Sequence, residues 1–287
     1  MKISASGIFA LSILHFSVLL AFGAIAEPVP AAETPAIISS AAADRHGFVS
    51  HKVECAFQLK QTEINVLLPD KIPAGKRLPT LYLLPVEAGT NRVWGDAMKE
   101  ARQLDLANKL NVICVYPTFS HLPWYADHPT DKSIRQESYF VKVVVPFIES
   151  NYPAKKERDG RMLLGFSKSG WGAWSLLLRH PETFGRAAAW DSPLALERGR
   201  YGLETIAATQ ENFERYKIFT QLKNQAAVLG PNSRLILMGH GNFQEQTRQT
   251  HDWMRSLKIA HEFRDGPDRK HHWNSGWVMD AAQWLLK

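Results

Sequence analysis

Continuous apolar runs alternate with amphipathic segments along most of the chain. Residues 81–84, 112–115 and 235–238 are almost wholly apolar. Such runs are typical of strands buried on both faces of a sheet, whereas alternating apolar and polar positions indicate one exposed face. The predicted strands are residues 51–59, 62–68, 79–85, 111–117, 161–166, 186–191, 233–239 and 260–264.

Segments with helical periodicity lie between these strands. From Phe140 to Ile148 apolar residues recur at spacings of three and four, and Pro153 follows the segment. The predicted helices are residues 96–109, 136–150, 170–180, 244–257 and 277–286. Two short strands followed by alternating strands and helices predict an α/β fold, with a mostly parallel central sheet and helices on both faces. Residues 192–230 fit no strand and are predicted as a helical or irregular excursion.

The N-terminal segment has the pattern of a secretory signal peptide. Lys2 precedes an apolar stretch over residues 7–22, and Ala24-Ile25-Ala26 forms a small-residue cleavage site. An uncleaved anchor is the alternative, since about 20 apolar residues can span a bilayer. Residues 1–26 are therefore predicted as signal peptide, 27–47 as a flexible leader and 48–287 as the folded domain. We expect a soluble, secreted or periplasmic protein without stable membrane insertion after cleavage.

Composition excludes several classes of protein. The 287 residues are 45% hydrophobic and 22% charged, which excludes disordered, collagen-like and coiled-coil chains. The net charge of +6 is spread without a basic block, so no nucleic-acid partner is predicted. Two cysteines exclude a disulfide scaffold and a four-thiolate zinc module. Export would permit a disulfide, but Cys55 and Cys114 lie in apolar runs and we expect two free thiols.

The strongest chemical signal is at residues 165–170, which read Gly-Phe-Ser-Lys-Ser-Gly. The segment joins a predicted strand to a predicted helix, which is the context of a nucleophile elbow. The turn requires small residues two positions before and after the nucleophile, and Gly165 and Ser169 flank Ser167 at those positions. The alternative is a serine that caps an ordinary helix.

A candidate base follows the last predicted strand. His271 and His272 lie between that strand and the last helix. In α/β-hydrolases the histidine follows both the serine and the acid along the chain, so either residue fits this order. The alternatives are a zinc pair or a solvated loop, but the chain has no HExxH-type spacing. No metal or cofactor is predicted.

Several motifs together resemble the esterase D-type family of α/β-hydrolases. Residues 165–173 match its G-x-S-M-G-G elbow except at Lys168 and Ser169, and residues 179–184 match its R-H-P-x-x-F run. Glu137 and residues 146–152 correspond to an acidic helix that ends P-x-I-E-x-x-Y. The family includes feruloyl and acetylxylan esterases, S-formylglutathione hydrolases and mycolyltransferases. Its H-x-W motif implies that His271 is the base, and the resemblance covers about residues 62–287.

The resemblance also implies two oxyanion donors, the backbone N–H groups of Glu87 and Lys168. The family strand usually ends Leu-Leu-His-Gly or Leu-Leu-Asp-Gly, whereas this chain continues from Leu84 to Pro85, which has no N–H. Backbone donors tolerate a change of side chain, so the oxyanion hole is expected to survive. A Glu87 carboxylate close to it would oppose an oxyanion unless it points away, and Lys168 would favour one.

The triad acid departs from the family pattern. The family has G-x-x-D after the strand that here spans residues 233–239, and Asn242 occupies the acidic position. An amide can orient an imidazole but does not stabilise the imidazolium. Asp191 ends the preceding strand at the same edge of the sheet and is the predicted acid. Asn242 is the alternative orienting residue, and the fallback acids are Glu245, Asp265 and Asp268.

Aromatic residues near these positions are candidates for the substrate cleft. Trp124 and Tyr125 follow the fourth predicted strand, and His272 and Trp273 adjoin the predicted base; packing in the core is the alternative role. The predicted function is a secreted serine hydrolase that cleaves a small-molecule or carbohydrate-linked carboxylic ester through a Ser-His-acid triad and an acyl-enzyme. The alternatives are an acyltransferase with the same triad, and a catalytically weak relative that binds a glycan or a partner protein.

Overall fold

A mixed sheet forms the centre of the fold. The computed structural model describes residues 36–43, 47–239 and 241–287, and the strands of these ranges run in the order β1-β3-β4-β6-β5-β7-β8-β9-β10, with β2 paired to β3. The strands are β1 (Ile37–Ile38), β2 (Ala42–Ala43), β3 (Val49–Glu54), β4 (Thr62–Leu67), β5 (Thr80–Leu83), β6 (Ile113–Pro117), β7 (Arg161–Phe166), β8 (Arg186–Trp190), β9 (Leu235–Met238) and β10 (His261–Arg264).

The pairing divides the sheet into two parts. The pairs β1–β3, β2–β3, β3–β4 and β4–β6 are antiparallel. From β6 to β10 every pair is parallel. Parallel strands place their carboxyl ends at one edge, which is where open α/β sheets carry their ligand sites. The predicted α/β class with a mostly parallel sheet is confirmed.

Helices cover both faces of the sheet. The helices are α1 (Ala97–Gln103), α2 (Leu106–Leu110), α3 (Gln136–Tyr139), α4 (Val145–Asn151), α5 (Ser167–Arg179), α6 (Leu203–Ala207), α7 (Gln210–Tyr216), α8 (Ile218–Leu229), α9 (Gln244–Ser256) and α10 (Val278–Leu285). One apolar core lies between one face of the sheet and the helices from α3 through α9. A second core lies between the other face of the sheet and the helices α1, α2 and α10. Neighbouring strand residues alternate between the cores, as Leu163 and Leu164 do, and this explains the continuous apolar runs.

Two predicted helices have a different local structure. The helix expected over residues 96–109 is interrupted between α1 and α2, where Asp105 has a positive φ of 55°. The helix expected over residues 136–150 contains a π-helical turn, Phe140–Val144, between α3 and α4. This turn ends two residues before Pro146, which has no N–H for the α-helical ladder, so the wider turn accommodates the missing donor.

Two predicted segments differ in extent, whereas the helical or irregular excursion predicted for residues 192–230 is helical. The strand expected over residues 51–59 ends at Glu54, and residues 192–230 contain the three helices α6 to α8. Within the leader predicted for residues 27–47, Ile37 pairs with Glu54 and Ala42 with Ser50 on β3. The leader prediction does not hold for β1 and β2, because the outer backbone groups of β3 offer hydrogen bonds that composition alone does not reveal.

The signal-peptide prediction for residues 1–26 lies outside the described residues and stays a prediction. In the described ranges no helix has the length and apolar character needed to cross a membrane. Cys55 and Cys114 are free thiols, as expected. Cys114 is buried in β6, and burial raises the pKa of its thiol to about 12.

A buried ionic cluster fixes the C-terminal end of α5. The carboxylate of Glu137 accepts hydrogen bonds from Arg179 Nε at 2.8 Å and from the Tyr216 hydroxyl at 2.6 Å. Its Oε1 also lies 2.7 Å from His180 Nε2. Burial alone would raise the pKa of Glu137, but the hydrogen bonds from His180, Arg179 and Tyr216 hold it at about 2. The cluster therefore joins α3, α5 and α7.

We expect Glu137→Gln to lower the free energy of unfolding by about 3 kcal/mol at pH 7, because the substitution leaves Arg179 without its anionic partner. The lowered pKa of Glu137 stabilises the fold above the unfolded value of 4.5, and this contribution is lost as the pH falls toward about 2. The difference from the unsubstituted protein should therefore shrink in acid. Urea denaturation at pH 7 and pH 3.5 measures it.

The matched control is Glu182→Gln, a change of the same chemistry at an exposed carboxylate 4.0 Å from the other ring nitrogen of His180. It should change stability by less than about 0.5 kcal/mol. Equal effects of the two substitutions would contradict the role assigned to the Glu137 cluster.

Candidate active site

Ser167 lies on a sharp turn between β7 and α5. It is the first residue of α5 and has a positive φ of 52°, a strained conformation for a residue other than glycine. Gly165 permits this turn, because a Cβ there would collide with the backbone carbonyl of Ser169. A strained strand-to-helix turn that presents a serine is the geometry of a nucleophile elbow.

The side chain of Ser169 closes the same turn. Its hydroxyl accepts a hydrogen bond from the Phe166 N–H at 3.1 Å and donates one to the Phe166 carbonyl at 2.9 Å. The residue is fully buried. Both interactions hold the turn, and they give the serine a local role at the position where the family pattern has glycine. Its hydroxyl is not available to a substrate.

His271 pairs with Asp191 across the carboxyl edge of the sheet. The Nδ1 atom of His271 lies 2.7 Å from Asp191 Oδ2. The Asp191 carboxylate also accepts the backbone N–H groups of Asn242 at 3.1 Å and Phe243 at 2.7 Å. An Nδ1–H donated to the carboxylate leaves the lone pair on Nε2, which is the form a general base needs.

The position of Asp191 follows from the strand order. Asp191 follows β8, residues 241–243 follow β9, and these strands are neighbours in the sheet. Gly241 is required at the close approach, because a Cβ there would lie 2.7 Å from Asp191 Oδ2. The carboxylate brought to His271 is therefore that of Asp191. Asn242 contributes its backbone N–H, and the fallback acid Asp265 instead pairs with Arg248 at 2.8 Å.

Aromatic rings fix the orientation of His271. Its ring centroid lies 5.0 Å from that of Phe166, 5.4 Å from that of Trp94 and 5.8 Å from that of Phe243. Trp190 stacks at 6.2 Å with an interplanar angle of 29°. These contacts and the bond to Asp191 leave the imidazole little freedom to rotate.

Ser167 and His271 open onto a common cavity of about 190 Å³. It is lined by Trp94, Ser167, Lys168, Pro193, Tyr201, Asn242, Phe243 and His271. Trp94 is 39% exposed and Tyr201 51% exposed, so these two rings form the rim. The rings of Tyr201 and Phe243 meet edge to face at 5.8 Å.

The predicted oxyanion donors have no hydrogen-bond acceptor among the described residues. Within the described ranges, the backbone N–H groups of Glu87 and Lys168 donate no hydrogen bond. Lys168 is the second residue of α5, where helix N–H groups have no intrahelical acceptor. The Glu87 carboxylate accepts the backbone N–H groups of Val93 at 2.8 Å and Trp94 at 3.3 Å, so it is engaged by the loop that carries Trp94.

The sequence profile of the Putative esterase family matches residues 59–278. The chain belongs to this esterase family. Esterase Rv1288 of Mycobacterium tuberculosis is 30% identical to it over 139 residues, which cover 47% of this chain and 30% of that protein. The chain thus spans less than a third of the length of this curated relative.

Solved structures extend the likeness to the whole fold. S-formylglutathione hydrolase FrmB of Staphylococcus aureus superposes with a TM-score of 0.68 at 17% identity, over 87% of this chain and 100% of that chain. A ferulic acid esterase gives a TM-score of 0.64 at 22% identity, over 83% of this chain and 95% of that chain. The predicted α/β-hydrolase fold and the predicted family are confirmed.

The cleft residues predicted for this esterase-family chain do not line the cavity. Trp124 and Tyr125 are fully buried; the Tyr125 hydroxyl donates to the Pro85 carbonyl at 2.8 Å and Trp124 Nε1 donates to the Tyr201 carbonyl at 3.3 Å. Both rings lie in the core and hydrogen-bond to loops at the edge of the sheet. Position at that edge predicted the cleft, but packing directs these rings into the core.

Trp273 and His272 are also placed away from the cavity. Trp273 is buried against Phe166, with ring centroids 5.1 Å apart. The His272 ring fills the space beside Gly95, which leaves no room for a Cβ there. Of the residues after the last strand, only His271 is among those that line the cavity.

The aromatic walls were missed by sequence reasoning. Trp94 follows β5, Tyr201 lies in the excursion after β8, and Phe243 follows β9. The available signal was their position shortly after strands that end at the catalytic edge.

A larger cavity of about 410 Å³ shares no lining residue with the first. Its carboxylates are already engaged, Glu137 by Arg179 and Asp127 by the Ser138 hydroxyl at 2.5 Å and by Arg135 at 3.2 Å. Among the described residues, no group of three or more His, Cys, Asp or Glu is arranged to hold a metal ion.

Proposed function

We propose that this chain is a serine esterase that hydrolyses a carboxylic ester through Ser167, His271 and Asp191. The observation that carries the proposal is the 2.7 Å contact between His271 and the buried Asp191, beside a serine on a nucleophile elbow. Nucleophile, orienting acid and base then occur in the chain order Ser-Asp-His, as in α/β-hydrolases.

In the first half of the reaction, His271 Nε2 takes the proton of the Ser167 hydroxyl as its oxygen attacks the ester carbonyl. Asp191 stabilises the imidazolium that results. The N–H groups of Lys168 and Glu87 hold the developing oxyanion, and a donor of this kind contributes roughly 3 kcal/mol to the transition state. Collapse of the tetrahedral intermediate breaks the bond to the alcohol, which leaves with the proton from His271.

Water completes the reaction. His271 takes a proton from a water molecule as the water oxygen attacks the acyl-enzyme. It then gives the proton to the Ser167 oxygen as the carboxylic acid product is released. The exposed rim of Trp94 and Tyr201 leaves the cavity accessible to solvent and offers rings on which a carbohydrate-linked alcohol could stack. Hydrolysis of such an ester is part of the proposal.

The size of the cavity limits the acyl group. Pockets that enclose drug-sized ligands measure about 300–1,000 Å³, whereas this one measures about 190 Å³. We therefore expect kcat/KM for 4-nitrophenyl acetate and butyrate to exceed that for 4-nitrophenyl dodecanoate by about tenfold or more, since a long chain would extend beyond the walls. Release of nitrophenolate by the purified protein measures this.

The control is the Ser167→Ala protein at the same concentration. Hydrolysis of no ester above that control would contradict the esterase proposal and favour a glycan- or partner-binding relative. Equal rates for all chain lengths would contradict the proposed acyl site alone. Product analysis in the presence of glycerol or glucose separates hydrolysis from acyl transfer.

A further inference from the structure

Lys168 lines the cavity, and its ammonium has no bonding partner among the described residues. Lys168 is half-buried and lines the cavity next to Ser167. Within the described residues its side chain forms no hydrogen bond and no ion pair. The Glu87 carboxylate attracts the ammonium electrostatically, but this carboxylate is already bonded to the N–H groups of Val93 and Trp94.

In the protein without a ligand, the partial burial of the Lys168 ammonium is energetically unfavourable. Removing an ammonium from water is unfavourable unless an anion or hydrogen-bond acceptors replace the hydration. Burial accordingly lowers the pKa of Lys168, and Glu87 only partly opposes that shift. A negatively charged group in the cavity would supply the partner that the protein does not.

The other walls favour such a group. None of the described residues that line the cavity carries a carboxylate. The nearby Asp191 is fully buried and is bonded to His271 and to two backbone N–H groups. Trp94, Tyr201 and Phe243 provide apolar and aromatic surface for the uncharged part of a ligand. Among these described residues, an anion that enters the cavity would therefore meet the Lys168 cation and no carboxylate.

We propose that Lys168 makes this site selective for esters that carry an anionic group, such as a carboxylate, close to the scissile bond. The side chain acts as a specificity determinant, while its backbone N–H serves the oxyanion. The inference rests on the proposed esterase function and adds the substrate class. The anionic group belongs either to the acyl part or to the alcohol part of the ester.

Two matched substrate pairs test the two sources of charge. On the acyl side, mono(4-nitrophenyl) adipate is compared with methyl 4-nitrophenyl adipate. On the alcohol side, 4-carboxyphenyl butyrate is compared with 4-(methoxycarbonyl)phenyl butyrate. Each kcat/KM is divided by the buffer hydrolysis rate of the same ester. In one pair the anionic ester should be preferred at least about tenfold, which corresponds to about 1.4 kcal/mol, because the ammonium would form a charge-assisted hydrogen bond to the carboxylate.

The variants separate charge from shape. Lys168→Met keeps the backbone N–H and a long side chain but removes the charge, so the preference should fall to about one. Lys168→Arg keeps the charge and should retain most of the preference for the anionic ester. Each variant is compared with itself on two esters, so a general loss of activity does not alter the ratio.

Two results would overturn the inference: no preference for either anionic ester in the unsubstituted protein, or an unchanged preference in Lys168→Met. If neutral esters are cleaved in a Ser167-dependent manner without such a preference, this inference fails and the esterase function stands. If no ester, charged or neutral, is cleaved above the Ser167→Ala control, the esterase function itself fails.

Discussion

Replacement of Ser167 by alanine is expected to lower kcat for 4-nitrophenyl butyrate by about 10⁶-fold, to the residual rate that the oxyanion hole and substrate binding provide. Loss of the nucleophile in a serine hydrolase removes nearly all of the rate that the triad provides, because the remaining members have no covalent route to assist. The substitution removes a single oxygen from a residue at the first position of α5. Steady-state kinetics with circular dichroism as the test of folding measure the effect.

Ser169→Ala is the matched control for this experiment. Its hydroxyl bonds to the Phe166 backbone within the same turn and does not reach the cavity. We expect kcat within about tenfold of the unsubstituted protein, as for the loss of a neutral intramolecular hydrogen bond. Full activity in Ser167→Ala, or loss of activity only in Ser169→Ala, would show that the nucleophile has been misassigned.

Asp191→Asn is expected to lower kcat by about 10⁴-fold with little change in overall structure. An amide at this position no longer stabilises the imidazolium and can hold His271 in the wrong tautomer. By contrast, Asn242→Ala should leave kcat within about tenfold, because Asn242 acts on Asp191 through its backbone N–H, which alanine retains. The kcat values of the two variants are measured on the same ester at pH 8.

The opposite order of effects would contradict the assignment of the acid. If Asn242→Ala lost most of its kcat and Asp191→Asn did not, the orienting group would be the Asn242 amide, which occupies the acidic position of the family pattern. Equal and small effects in both variants would show that His271 works without either partner.

The fold and the centre of the site could be predicted because they depend on local patterns. Buried parallel strands require apolar side chains on both faces, so runs such as residues 235–238 identify them. The elbow requires small residues around Ser167 between a strand and a helix, and this too is a local constraint. Asp191 could be predicted because neighbouring parallel strands end at the same edge.

The walls of the cavity could not be predicted in the same way. The position of Trp94 depends on the bonds of its loop to Glu87 and on the Trp273 N–H, which donates to the Trp94 carbonyl at 2.9 Å. The bond from Trp273 joins two segments far apart in the chain. Trp124 and Tyr125 show the converse, since they occupy the expected edge but turn inward to fill the core.

The short strands β1 and β2 also depend on partners distant in sequence. Each has only two residues, and its composition is that of a linker. They are strands because β3 presents an outer row of hydrogen-bonding groups. No periodicity within residues 36–43 indicates this pairing with β3.

The central claim, that Ser167 is a nucleophile activated by His271, is tested most directly by labelling with a fluorophosphonate, followed by mass spectrometry of the intact and digested protein. The account predicts one adduct per chain, located on Ser167, and a strong reduction of labelling in His271→Ala. No adduct at Ser167, or an adduct on another residue such as Ser169, would contradict it.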